Sequence, residues 1–261
     1  MTVSEQSWVK YIERLRKVSD EAATKYAEYF ARVANPLSEA GRKSLTWYAF
    51  VIGRDYGEAA AELACEMYDS MVLAEGLSMG RPAGWIEPAV PARTATYNEA
   101  AKTVNGVLKT SQNPEEIAGA VSRLVKMASA DTVQQNALRD GAEWAWIPHG
   151  DTCAFCLTLA SNGWQHASTK AIKNGHAEHI HANCDCTYAV RFSENTKIQG
   201  YNPDRYKRIY YSAEGSTPEE KINSMRRDFY AENKEEINAQ KRDAYAKRQE
   251  LNSSKAEETD V

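Results

Sequence analysis

The sequence predicts a mainly α (α+β) protein: a helical body, a small β module stapled at a Cys/His cluster, and a long polar C-terminal helix. Three observations predict it. Apolar residues recur at steps of three and four through most of the chain up to residue 140, which is the signature of helices with one buried face. Two short alternating aromatic segments bracket a stretch that holds four of the five cysteines and all five histidines. After residue 193 aliphatic side chains thin out and charged ones take over.

The first helix is expected over about Ser4 to Val33, where Trp8, Tyr11, Ile12, Leu15, Tyr26 and Phe30 form one stripe. Asn35-Pro36 ends it, because the residue before a proline is pushed out of the helical region. A second run from about Ser38 to Ala74, through Leu45, Ile52, Leu63, Met67 and Met71, is expected to fold back on the first as an antiparallel hairpin. Glycines and prolines crowd residues 76–92, a linker loop and a candidate boundary. Helices resume from about Arg93 to Lys109, then from Asn113-Pro-Glu-Glu116, an N-cap followed by proline at the first helical position. Asp131-Thr-Val-Gln134 repeats the capping logic and predicts one more short helix to about Asp140.

Glu143 to Ile147 and Thr187 to Phe192 alternate, so they read as strands entering and leaving the Cys/His stretch. Beyond them Tyr201, Tyr206, Tyr210 and Tyr211 read as a polar loop, and Thr217-Pro-Glu-Glu220 caps a polar helix expected to run to about Leu251. A weak repeat at a spacing of 15 residues relates Asp228-Phe-Tyr-Ala to Asp243-Ala-Tyr-Ala. The implied organisation is a helical hairpin over 1–75, a linker over 76–92, a helical region with the Cys/His module over 93–192, and a polar arm over 193–261.

Composition excludes several functions. A net charge of -4 and a pI near 5.8 give the surface no general attraction for nucleic acid or anionic membrane, and the eight basic and eight acidic residues between Glu219 and Glu250 cancel. No apolar run approaches the ~18 to 20 residues of a spanning helix, and the N-terminus has no basic segment leading into an apolar one. Cys65, in a helical context, is expected to be a lone buried thiol, and a disulfide framework does not suit the chain. A reducing cytosol is the expected site of maturation.

The Cys/His stretch is where chemistry concentrates. Cys153-Ala-Phe-Cys156 offers two thiolates, and His181-Ala-Asn-Cys184 offers an imidazole and a thiolate at the same spacing. Thiolate sulfur and imidazole nitrogen in a set of four are what tetrahedral zinc takes. Cys153, Cys156, His181 and Cys184 make one complete set; Cys186 competes for the last place, and His179 competes more weakly. A closed set leaves no position for water or substrate, so the expected Zn2+ is structural and the β module is zinc-stapled.

Catalytic readings fit less well. His176-Ala-Glu178 imitates the His-x-Glu of zinc deaminases, but there the Cys-x-x-Cys follows it and here Cys153-x-x-Cys156 precedes it. An HNH-like metal-dependent nuclease, or another DNA-processing enzyme, is the alternative reading; it calls for a second Cys-x-x-Cys pair that this chain lacks. A thioredoxin-like role needs a βαβ context, which is not evident. His149, His166 and His176 read as loop histidines, and Trp144, Trp146 and Trp164 as the apolar core shielding the metal.

The run Trp146-Ile-Pro-His-Gly-Asp151-Thr-Cys153-Ala-Phe-Cys156-Leu-Thr-Leu-Ala-Ser-Asn-Gly163, closed by His181-Ala-Asn-Cys184-Asp-Cys186, resembles the phage head morphogenesis family, the Mu F-like minor head proteins. The likeness covers about Ala142 to Tyr188. Asp151 stands one residue closer to the first cysteine than in the family form, and Asp185 stands where that family often has Arg. The resemblance implies a non-enzymatic minor capsid protein inside the virion head, made in the host cytoplasm, with portal, major capsid or scaffold proteins as partners. It also implies a part in head assembly and in DNA packaging or ejection, with no membrane and no specific nucleic-acid site.

Overall fold

The computed structural model describes residues 2–3, 5–80, 85–149, 152–167, 172–173, 176–177, 186–235, 238–239 and 242, with the backbone alone for residues 2–3, 5–7, 172–173 and 176–177. In chain order the elements are β1 (Thr2–Val3), α1 (Glu5–Ala31), α2 (Glu39–Ala74), α3 (Tyr97–Leu108), α4 (Pro114–Asp140), β2 (Glu143–Ile147), α5 (Ala154–Ser161), β3 (Gln165–His166), β4 (Ile172–Lys173), β5 (His176–Ala177), β6 (Thr187–Arg191), β7 (Lys197–Ile198), α6 (Pro203–Ser212) and α7 (Pro218–Glu232). The mainly helical expectation holds. Among the described residues no helix is long and apolar enough to cross a membrane.

The hairpin of α1 and α2 forms as its stripes require. Ser38 caps α2 by accepting from Gly41 N at 3.0 Å, and the turn closes so tightly that a Cβ on Gly41 would lie 2.0 Å from the Asn35 carbonyl oxygen. Beside the turn Tyr26 donates to Leu45 O at 3.2 Å and Tyr29 stacks on Tyr48 at 4.1 Å; at the far end Arg14 pairs with Glu66. The antiparallel pairing is therefore anchored at both ends.

Helix α2 is buried on several sides because α4 packs along it as well as along α1. Tyr11 of α1 and Ser129 of α4 share a buried hydrogen bond of 2.7 Å. One apolar core runs from Trp8 on α1 through α2, α3, α4 and the sheet to Ile198 on β7, so segments on both sides of the 76–92 loop contribute to it.

The structure corrects the expected helix start at Asp131. Residues 114–140 form one helix, with Asn113 capping at Glu115 N (3.0 Å) and Gly141 closing it at φ 68. Asp131 and Thr132 are fully buried in its middle. Their neighbourhood explains the polar cluster: it binds the loop before α3. Ala92 N donates to Thr132 Oγ1 at 3.0 Å, Val90 N to Asn136 Oδ1 at 2.9 Å, and Ala89 N to Asp69 Oδ1 of α2 at 2.8 Å. These side chains give partners to the backbone of a half-exposed extended segment, in which Ala92 and Ala95 are buried. Helix α3 starts at Tyr97, later than Arg93, because Thr96 and Glu99 form a reciprocal capping box.

The two expected strands form and pair. The sheet order is β3-β2-β6, antiparallel throughout, with Trp146 opposite Tyr188 and Glu143 opposite Arg191. Helices α4 and α5 both pack on it. Parallel β1–β7 and antiparallel β4–β5 are separate two-stranded pairs.

Two expectations about the polar arm are corrected. Tyr206, Tyr210 and Tyr211 lie on helix α6, because Asn202 accepts from Asp204 N at 3.1 Å and Pro203 takes the first helical position. The capping box at Thr217 and Glu220 starts α7 as expected, but the helix ends at Glu232. There Asn233 donates to Phe229 O both from its backbone N at 3.1 Å and from its side-chain Nδ2 at 2.9 Å. Helical residues recur at 234–235, 238–239 and 242, and the rest of the expected helix lies outside the described residues.

Candidate metal centre

The β2–β6 pair provides one wall of the site. Alternation along the two strands puts Trp144, Trp146, Tyr188 and Val190 on one face. The Tyr188 ring meets the Trp146 and Trp144 rings edge-on at 4.7 and 5.0 Å. Cys186 immediately precedes β6, in the same parity as Tyr188, and is 8% exposed. Trp146 is buried, as expected of a shielding core. The indole Nε1 atoms of Trp144 and Trp146 are buried without a hydrogen-bond partner among the described residues.

Cys153-Ala-Phe-Cys156 opens helix α5. Cys153 occupies the N-cap (φ -71, ψ 158) and is exposed, whereas Cys156, one turn on, is fully buried. The Cys-x-x-Cys pair is thus the start of a helix. Cys153 stands in extended backbone just before the helix and Cys156 within its first turn, so the two thiols bracket the helix start. The partial positive charge of a helix N-terminus also favours thiolate over thiol. Two cysteine sulfurs are the donor type that zinc takes.

Helix α6 backs the first cysteine segment. It packs on α5, where Tyr201, just before it, donates to Ala160 O at 3.2 Å. Tyr201 stacks on Tyr206 at 6.0 Å and meets Trp164 edge-on at 5.9 Å. Burial raises the Tyr206 pKa; Arg205 opposes that, and the field of Cys186 adds to it. Cys156 and Cys186 belong to the same apolar core.

His179, His181 and Cys184 lie outside the described residues, as do Asp151 and Glu178. Among the described residues no group of three or more His, Cys, Asp and Glu is gathered as a metal site. The structure thus places Cys153, Cys156 and Cys186 of the expected ligands. His176 lies on β5 and His166 on β3. Cys65, half-buried on α2, has a free thiol that burial pushes up to about 11, ahead of the fields of Asp69 and Glu62.

One feature of the module was missed from sequence. Glu143 and Arg191, at opposite ends of their strands, are brought face to face by the antiparallel register, with Arg191 Nε donating to Glu143 Oε2 at 2.6 Å. The side chains are 15% and 13% exposed, and the guanidinium lies 4.7 Å from the Trp164 ring centre. Arg191 Nη1 also donates to Glu194 O at 3.0 Å. Opposite charges at the outer ends of two five-residue strands were the available signal, legible only once the register was known.

Residues 2–213 match the model of a family described as VG15 protein. No curated protein and no solved structure matches the chain.

Proposed function

The chain belongs to the VG15 protein family, a family of phage-encoded proteins, and from that premise we propose that it is a Mu F-like minor head (minor capsid) protein with a structural zinc. In this reading it acts in head assembly at or near the portal, inside the virion, and enters the host with the DNA. Portal, major capsid or scaffold proteins are its partners, and it is no enzyme.

The observation that carries the reading is the Cys153/Cys156 pair on the first turn of α5, set between a Trp-bearing strand and the strand that follows Cys186. That order of parts agrees with the head-morphogenesis motif. Cys153, Cys156 and His181 would hold the ion with Cys184 or Cys186, and the bound zinc would tie α5 to the start of β6. Four protein ligands leave zinc no open position, so its contribution is to folding.

The test has two arms. Purified particles should contain the protein, and its absence from them contradicts the assembly role. His181→Ala should lower zinc content and thermal stability together. The nuclease alternative makes the opposite forecast, metal-dependent DNA cleavage that His181→Ala abolishes while the fold survives.

A further inference from the structure

Helix α5 has two working faces. Cys156 and Ala160 point into the main core, while Ala154 and Leu157 meet a separate small cluster made with Ile209, Tyr210 and Ala213 of the α6 end and Ile222 and Met225 of α7. An eight-residue helix has little stability of its own, so α5 persists because it is gripped from both sides.

The outer grip is slight. Of the 15 residues of α7, only Ser224 and Met225 are buried, and Phe229 is 56% exposed. Ser224 Oγ accepts from Glu214 N at 3.2 Å. Lys221 Nζ donates to Ala213 O at 2.8 Å and to Tyr210 O at 3.3 Å, closing the C-terminal end of α6. The connection turns at Gly215, whose φ of +125 and a Cβ position 2.5 Å from Glu220 Cβ admit no other residue without strain. The family match ends at residue 213, so α7 lies outside the matched residues.

We propose that α7 is a latch on the cysteine helix: its opening frees the outer face of α5 and so sets how readily that helix opens and the centre gives up its metal. The second half rests on the zinc reading above; the first does not. Segments held by few buried contacts open at lower free energy than the global transition. When α7 lifts, Ala154 and Leu157 lose Ile222 and Met225 as apolar partners, and the first turn of α5, closed by the Leu157 N to Cys153 O bond of 3.0 Å, keeps only the backing of the α6 end.

The experiment is amide hydrogen exchange on the full chain, run beside zinc release to a chromogenic chelator, for the parent protein, Met225→Ser and Gly215→Ala. Both variants are expected to speed exchange across residues 157–161 by about tenfold or more, with α2 and α4 unchanged, and to speed zinc release by a similar factor. Faster exchange in α7 with none in α5 overturns the latch, as does equal acceleration in α2, α4 and α5. If the parent protein holds no zinc, the metal reading fails and the exchange arm still decides the latch.

Discussion

Asn136 holds both backbone groups of Val90: its Oδ1 accepts from Val90 N at 2.9 Å and its Nδ2 donates to Val90 O at 2.8 Å. This clamp, with Thr132 and Asp69, fixes the segment before α3 against α4 and α2. Asn136→Ala would remove both of these bonds, at a cost of roughly 1–3 kcal/mol for the two. Chemical denaturation should show a lower midpoint, and a variant as stable as the parent contradicts the clamp.

Alkaline pH should unfold the protein through its buried tyrosines. Tyr68 has a raised pKa, first from burial and then from donating to Asp140 Oδ2 at 2.8 Å; Tyr26 is raised by burial and then by Tyr29. Each is above the unfolded value of about 10, so the unfolded state loses protons first. Their stabilisation is therefore full below about pH 10 and falls as pH rises beyond it. Thermal melts should decline from there, with the last part of the tyrosinate absorbance, that of the buried rings, appearing together with unfolding. Ionisation of Tyr26 and Tyr68 in a folded protein contradicts the prediction.

Glu143→Gln should cost more than a surface pair would. It leaves the mostly buried Arg191 guanidinium without its counter-charge, and breaking buried pairs costs roughly 3–5 kcal/mol. Glu143→Leu combined with Arg191→Leu should recover much of that, since apolar replacements can pack where the pair lay. Thermal unfolding of the single and double variants checks both forecasts.

Thr217→Ala should act locally. It removes one half of the capping box and is expected to cost about 1 kcal/mol, felt in α7 before the rest of the chain. Exchange protection lost in α7 amides, with α1 and α2 unaffected, is the expected result.

Much of the fold was legible where one face is apolar and the ends carry caps. The stripes of α1 and α2, the Ser38 turn, the Asn113-Pro114 start and both strands of the β2–β6 pair follow from period and punctuation. Asp131 misled because a buried polar cluster that serves another segment's backbone looks locally like a cap. Asn202-Pro203 was an overlooked cap, which is why the α6 tyrosines read as loop. The Cys153–Cys156 pair was visible as a ligand set, but its helical setting depends on packing from α6 and α7, which the spacing does not report.

The central claim is that the cysteines of α5 and those before β6 hold one structural zinc. Metal analysis of freshly purified, reduced protein tests it most directly, together with Cys153→Ser, Cys184→Ala and Cys186→Ala. The account predicts about one zinc per chain, lost in Cys153→Ser and in one of the other two. Metal-free protein that is fully folded and unaffected by these substitutions would contradict it.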